Sequence, residues 1–233
     1  MEYLVHNLKD VNERIDEACK KAGRETQEIT LIAVSKTVES DVINESITKG
    51  VTDIGENKVQ EIIRKYDDID NVKWHLIGHL QTNKVKYIID KVDMIHSVDS
   101  EKLAVEIDKR AKKADRIIDI LLQVNVADED SKFGIQSKNV EGLVSKLSTL
   151  ENVRIKGLMT IAPFYENPED LRKYFRELRE IFDNLKYNNK YTNVDMQHLS
   201  MGMTNDFEVA IQEGATMLRI GTGIYGRRDY AQK

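Results

Sequence analysis

Lys36 stands at the end of Leu31-Ile32-Ala33-Val34-Ser35, an apolar run of the length and character of a strand buried on both faces. A lysine at the carboxyl end of such a strand points into the ligand-binding mouth of a closed barrel or an open sheet. Partial desolvation there disfavours the ammonium form. The neutral amine is the form that attacks an aldehyde to make a Schiff base. On this stretch alone, a solvated lysine capping a strand is the competing description. Two later segments bear on the choice, His198-Leu199-Ser200-Met201-Gly202-Met203-Thr204 and Arg219-Ile220-Gly221-Thr222-Gly223-Ile224-Tyr225-Gly226. Both are rich in small and hydroxylated residues. Glycine lets backbone N–H groups come close to an anion, and hydroxyls add donors. Gly221-Thr222-Gly223 would cradle a phosphate from one side, and Ser200 with Gly202 from the other. Arg219, leading into the second segment, is placed to contact the same ligand.

The elements that must bring these residues together follow an alternating pattern. Leu4, Leu8, Val11, Ile15 and Ala18 recur at helical spacing, with Gly23 as a stop, so an extra helix precedes the first strand. Strands are then expected at 31–35, 51–55, 72–77, 94–98, 117–126, 155–161, 196–200 and 216–220. Helices are expected between them, including a short one at about 83–90. Residues 127–136 read as a loop. Asn167-Pro168 has the form of an N-cap followed by proline at the first helical position, and Asn205 with Glu208 has capping-box spacing. Eight strands alternating with helices make a (β/α)8 barrel the expected fold, an α/β class, with an open doubly wound sheet as the alternative. A barrel of this kind takes ~250 residues, so the 233 present leave room for the barrel and the leading helix. A single domain over residues 1–233 is therefore expected.

In a barrel every strand end feeds one mouth. Gly55-Glu56-Asn57, Gly78-His79 and His96-Ser97 join Lys36 there, along with the two Gly/Ser/Thr segments. The net charge of −5 without a basic stripe argues against nucleic acid as a partner. Cys19 is the only cysteine, so an internal disulfide and a zinc motif are both excluded. That composition suits a reducing, cytoplasmic setting. The start lacks the pattern of a secretory signal, and no apolar run approaches the ~20 residues of a membrane span. His75, His79, His96 and His198 lack metal-ligand spacing and read as packed or exposed side chains.

A lysine opposite a phosphate cradle has two chemical meanings. One is a Schiff-base aldolase acting on a phosphorylated sugar. The other is a site for pyridoxal 5′-phosphate, whose aldehyde and phosphate project from one ring. Composition and spacing leave both open.

The motifs Ala33-Val34-Ser35-Lys36-Thr37, Gly55-Glu56-Asn57, Trp74-His75-Leu76-Ile77-Gly78-His79-Leu80-Gln81-Thr82-Asn83-Lys84, Lys156-Gly157-Leu158-Met159, Leu199-Ser200-Met201-Gly202-Met203 and Arg219-Ile220-Gly221-Thr222 closely resemble the YggS/PROSC family. These are the pyridoxal phosphate homeostasis proteins, similar to the N-terminal barrel of alanine racemase. The resemblance runs from about Leu31 to Tyr230. It implies an alanine-racemase-type barrel that carries pyridoxal phosphate covalently. Lys36 matches the Schiff-base lysine, Asn57 the residue near the ring hydroxyl, and Arg219 the arginine facing the pyridine nitrogen. Ser200, Gly202, Gly221 and Thr222 match the phosphate loops. His79 departs from the pattern, standing where many relatives have proline. An arginine is a donor only, so one facing the ring nitrogen would keep that nitrogen unprotonated and weaken the ring as an electron sink.

The resemblance separates carrier from enzyme only in part. Related racemases use a tyrosine from a second domain as the opposing base, and this sequence ends just after the eighth expected strand. Tyr225 or His79 could stand in for that base by position alone. The leading expectation is a monomeric protein that binds pyridoxal phosphate and buffers it or delivers it to apo-enzymes. A low-efficiency amino-acid racemase is the alternative, and a phosphosugar aldolase the third reading.

Overall fold

The computed structural model describes residues 2–129 and 132–226; Tyr230, where the family resemblance ends, lies outside them. Along the chain run α1 (Glu2–Ala22), β1 (Thr30–Val34), α2 (Ser40–Thr48), β2 (Asp53–Glu56), α3 (Val59–Lys65), β3 (Lys73–Leu76), β4 (Met94–Val98), α4 (Glu101–Lys113) and β5 (Ile118–Asn125). Then come β6 (Ile135–Gln136), α5 (Val140–Leu147), β7 (Val153–Met159), α6 (Arg172–Tyr187), β8 (Val194–Ser200), α7 (Phe207–Gln212), β9 (Met217–Ile220) and α8 (Thr222–Tyr225). The strands pair in the order β4-β3-β2-β1-β9-β8-β7-β5, and a β4–β5 pairing closes the ring. Every pairing is parallel. The expected eight-stranded barrel is present, with the two-residue β6 added outside the ring against β5.

Three local expectations are corrected. The segment after β3 is a 3-10 turn at Thr82–Tyr87, not an α-helix. The segment 127–136 is not all loop, because Ile135–Gln136 pairs with β5. Asn205 and Glu208 do not form a capping box; Asp206 is the N-cap of α7, and its carboxylate accepts from the Met203 N–H. Arg14 draws Glu208 away towards α1 instead, with Nε at 2.8 Å. The Asn167 cap forms as expected, its side chain accepting from Glu169 N–H ahead of Pro168–Leu171.

Strand periodicity of two sorts the side chains. Ala33, Ile54, Leu76, Ile95, Ile120, Leu122, Leu158, Leu199, Leu218 and Ile220 join the apolar layer under the helices. Their neighbours Ile32, Met94, Leu121, Met159 and Met217 form a separate small cluster that fills the barrel. Asp53, His75, His96, Gln123, Ser200 and Arg219 are buried at positions of that same inward parity. The interior is thus part apolar and part polar. Helix α1 seals the last units from outside, burying Leu4, Leu8, Val11 and Ile15. Its Asn7 donates to Ile224 O at 2.9 Å, and Arg24 just beyond donates to Ile211 O and Ala215 O at 2.9 and 2.7 Å.

One buried ion pair lies between β1, β2 and α3. Lys65 is fully buried and donates to Glu56 Oε1 at 2.8 Å, to Ser35 O at 2.9 Å, and reaches Glu61 at 3.0 Å. Burial lifts the Glu56 carboxyl above its usual range, against the pull of Lys65. Removing one partner leaves the other without compensation, whereas removing both restores an apolar contact. Lys65→Met is expected to cost about 3–5 kcal/mol in urea denaturation. Adding Glu56→Leu is expected to recover most of that loss; a double variant no more stable than the single would show the pair is not the cause.

Candidate functional site

The carboxyl ends of the strands surround a cavity of about 520 Å³. Lys36 lines it, one residue beyond the buried Ser35. Its backbone is held on both sides. Ser35 N–H donates to Gly55 O at 3.0 Å, Val38 N–H closes a turn onto Ser35 O at 2.9 Å, and Lys65 donates to that same carbonyl. The Ser35 hydroxyl donates to Glu56 at 2.8 Å. Thr37 completes the turn at φ +64°, a left-handed conformation unusual for a β-branched residue. The surrounding bonds over-determine that strained residue directly beside the lysine.

Asn57 follows β2 into the cavity. Gly78, in the loop after β3, allows this approach: a Cβ there would stand 2.3 Å from Asn57 O and 2.7 Å from Asn57 Cα. His79 lies at the rim, stacked on Phe133 with ring centroids 3.9 Å apart, its Nδ1 3.8 Å from Asp99. Gln123 holds the Phe133 carbonyl at 3.0 Å, which ties that aromatic to the barrel. Ile161, Phe164 and Tyr165 continue an apolar and aromatic outer wall.

Arg219 enters the cavity from β9, although only 4 % of it is exposed. It donates to Ser200 Oγ at 2.6 Å and to Thr160 O at 2.7 Å. Burial pulls the guanidinium down to about 10, partly countered by Asp206. At neutral pH it stays charged. Beyond it, Gly221 and Thr222 line the cavity where α8 begins. Thr222 Oγ1 donates to Thr204 Oγ1 at 3.1 Å, and Gly223 N–H reaches the same oxygen at 3.3 Å.

Lys36, Asn57, Arg219, Gly221 and Thr222 therefore share one cavity. Ser200 and Gly202 do not line it. Ser200 is fully buried, its hydroxyl held between Arg219 and His96. Gly202 has φ +92°, and a Cβ on it would meet the Ala210 Cβ at 2.7 Å, so the turn into α7 is what requires glycine there. Tyr225 also lies outside the lining. Its hydroxyl pairs with Ser46 at 3.0 Å, and burial pushes the phenol up to about 12. Thr204 and Asp206 also line the cavity. Thr204 closes the first hydroxyl-rich segment read from the sequence, whereas Asp206 was not singled out because its neighbour Asn205 read as the cap. Among the described residues no group of His, Cys, Asp or Glu could hold a metal ion.

The chain matches the family described as alanine racemase, N-terminal domain, over residues 6–229. It is similar to an alanine racemase of Clostridium difficile 630 with TM-score 0.72 at 17 % identity, covering 99 % of this chain and 61 % of that one, which speaks to the fold alone. More specifically, it is 50 % identical to a pyridoxal phosphate homeostasis protein of Aquifex aeolicus over 96 % of this chain and 97 % of that protein. It is 38 % identical to the protein of the same name in Escherichia coli over the full length of both. PipY of Synechococcus elongatus, solved with PLP bound, superposes with TM-score 0.82 at 31 % identity, over 96 % of this chain and all of PipY. The chain belongs to the pyridoxal phosphate homeostasis protein family, built on the alanine-racemase-type barrel.

The buried histidines give a pH dependence with a definite sign. Burial holds His96 well below its ordinary value of 6.5, and burial with Lys156 nearby holds His198 down to about 4. Both are neutral in the folded chain, while the unfolded chain takes up protons below 6.5. Their contribution is complete above that value and is lost as pH falls towards 4, each at about 1.4 kcal/mol per pH unit. Urea denaturation across this window is expected to show the fall, and His198→Gln to flatten it. An unchanged slope in the variant would place the acid sensitivity elsewhere.

Proposed function

We propose that this protein binds pyridoxal 5′-phosphate at the barrel mouth and serves its homeostasis, holding the cofactor and giving it up rather than turning over a substrate. The observation that carries this reading is the convergence of Lys36, Arg219 and the Gly221-Thr222 turn on one cavity of about 520 Å³. The donor set fits the molecule: an amine for an aldehyde, hydroxyl and backbone donors for a phosphate, and a fixed guanidinium between them. Pyridoxal phosphate, when bound, supplies an aldehyde that condenses with a primary amine. Lys36 would provide that amine from a backbone pinned by Ser35, Glu56 and Lys65. Thr222, Gly221 and Thr204 would hold the phosphate, with Asn57 beside the ring. Arg219 would present a donor, not an acceptor, to the ring nitrogen. Ser200 would act behind Arg219, and Gly202 by shaping the loop.

The same geometry supports holding over racemisation. A racemase needs acid/base groups on both faces of the reacting carbon. Tyr225 is tied to Ser46 outside the cavity, and His79 is stacked on Phe133 at the rim. Tyr165, which lines the outer wall, has its phenol raised above the usual range by its hydrogen bond with Tyr174. A phenol raised in this way stays protonated and does not offer a base at neutral pH. The names of the relatives support the same reading. A monomer, a cytoplasmic setting and apo-enzymes as recipients complete the proposal.

Purified protein incubated with pyridoxal phosphate is expected to turn yellow, with a visible band that borohydride bleaches and locks in place. Lys36→Ala is expected to lack that band while remaining folded. A wild-type protein that pyridoxal phosphate cannot colour would overturn the reading. Loss of optical rotation from an amino acid, dependent on Lys36, would favour the racemase instead.

A further inference from the structure

A continuous line of polar side chains, buried from Asp53 onwards, crosses the barrel from floor to mouth. Thr52 Oγ1 donates to Asp53 Oδ2 at 2.7 Å, and Asp53 Oδ1 lies 2.9 Å from His75 Nε2. His75 Nδ1 lies 2.9 Å from His96 Nε2, and His96 Nδ1 lies 2.9 Å from Ser200 Oγ. Ser200 Oγ receives Arg219 at 2.6 Å. His75, His96 and Ser200 are each at most 2 % exposed. Asp53 borders a second, smaller cavity with Thr30, Lys49 and Thr52 at the opposite end of the barrel.

The chemistry of the ends gives the line one direction. An ionised carboxylate only accepts, so Asp53 accepts a hydrogen bond from His75 Nε2–H. A neutral imidazole then has Nδ1 as an acceptor, so His96 Nε2 must donate to it. That leaves His96 Nδ1 as an acceptor, filled by the Ser200 hydroxyl proton. Ser200 therefore has only a lone pair to offer Arg219, which as a guanidinium only donates. All four contacts are satisfied at once with both rings neutral. The second anchor of Arg219 is Thr160 O, whose residue is itself tied to Val124 O at 2.8 Å.

We propose that His96 and His75 are positioning residues, which hold Arg219 in one orientation through Ser200 and thereby set how firmly the mouth retains its ligand. The inference rests on the reading that this ligand is pyridoxal phosphate. Ser200 in this arrangement acts on the ligand through the arginine, since its proton is committed to His96. A purely space-filling role for the two histidines would leave their tautomers and the acceptor at Nδ1 without consequence.

Two measurements test this. Nitrogen-15 NMR of the ligand-free protein is expected to show both rings protonated at Nε2, with His96 Nδ1 as an acceptor. His96 protonated at Nδ1 would overturn the relay. The second measurement is the release of pyridoxal phosphate from loaded protein into excess apo-enzyme. His96→Leu is expected to release it roughly 10-fold faster, the effect of one lost hydrogen bond to a charged network, and to shift the visible band. His96→Asn can present an amide oxygen near the position of Nδ1, and is expected to restore most of the loss. His198→Gln, outside the line, is expected to release at the wild-type rate. Wild-type release and band position in folded His96→Leu would overturn the proposal. If His96→Leu does not fold, Ser200→Ala takes its place with the same two expectations. If the wild-type protein takes up no pyridoxal phosphate, the functional reading fails, the ligand-retention claim fails with it, and the tautomer measurement alone still decides whether the hydrogen-bond line exists.

Discussion

A guanidinium buried inside a closed barrel constrains nearly everything around it. Arg219 is charged at neutral pH and almost without solvent. A buried charge is costly unless it is hydrogen-bonded and compensated. The barrel meets that requirement with Ser200 Oγ and Thr160 O, from the ends of two neighbouring strands, and with Asp206 nearby. Ser200 Oγ accepts from Arg219 and also meets His96, and in the proposed arrangement its own proton is directed to His96 while His75 and Asp53 continue that direction downwards. One charge at the mouth is thus tied to a carboxylate at the floor. This explains why an interior that could be filled with Val, Ile and Leu instead carries two histidines, a serine and an aspartate.

The lysine side of the cavity solves a related problem by different means. Lys36 is half-buried and faces the cavity, so its backbone, not its amine, is the part that is anchored. Ser35 contributes its N–H, carbonyl and hydroxyl to Gly55, Val38, Lys65 and Glu56. These bonds hold Thr37 in a left-handed conformation that a β-branched residue would otherwise leave. Lys65 does the buried ionic work and leaves Lys36 to the cavity. Two lysines, one just beyond β1 and one at the end of α3, therefore have opposite roles, decided by which of them is enclosed.

Much of this was legible in the sequence, for identifiable reasons. Strand ends in a barrel converge, so Lys36, Asn57, Arg219, Gly221 and Thr222 could be placed at one mouth from their positions after apolar runs. The strand edges shifted by a residue or two, as at Val153, because an exposed polar residue such as Arg154 interrupts an apolar run without ending the strand. The α7 boundary was misread because Asn205 and Asp206 are both competent caps, and only the Arg14–Glu208 contact, 194 residues apart in sequence, removes Glu208 from the box. Gly202 was singled out for a phosphate loop; its positive φ and the closeness of Ala210 are local reasons for glycine that the sequence pattern does not display. The histidine line was illegible for a deeper reason. His75, His96 and Ser200 come from three strands that are not all adjacent, and their meeting depends on closure of the ring across β4 and β5.

The contrast between floor and rim bears on how a ligand would be held. Inside, the polar groups form directed, fully enclosed hydrogen bonds, and such networks are rigid because any rotation leaves a partner unsatisfied. Outside, the wall is Phe133, Phe164, Ile161 and Tyr165, all exposed and held by few polar contacts. Apolar contact is non-directional, so this wall can cover a ring without fixing its angle. A ligand at this mouth would meet strict geometry at Arg219 and Lys36 and permissive geometry above them. That gradient suits a protein whose task is to recognise one molecule and then let it leave, with selectivity at Arg219 and Lys36 and access governed by the rim.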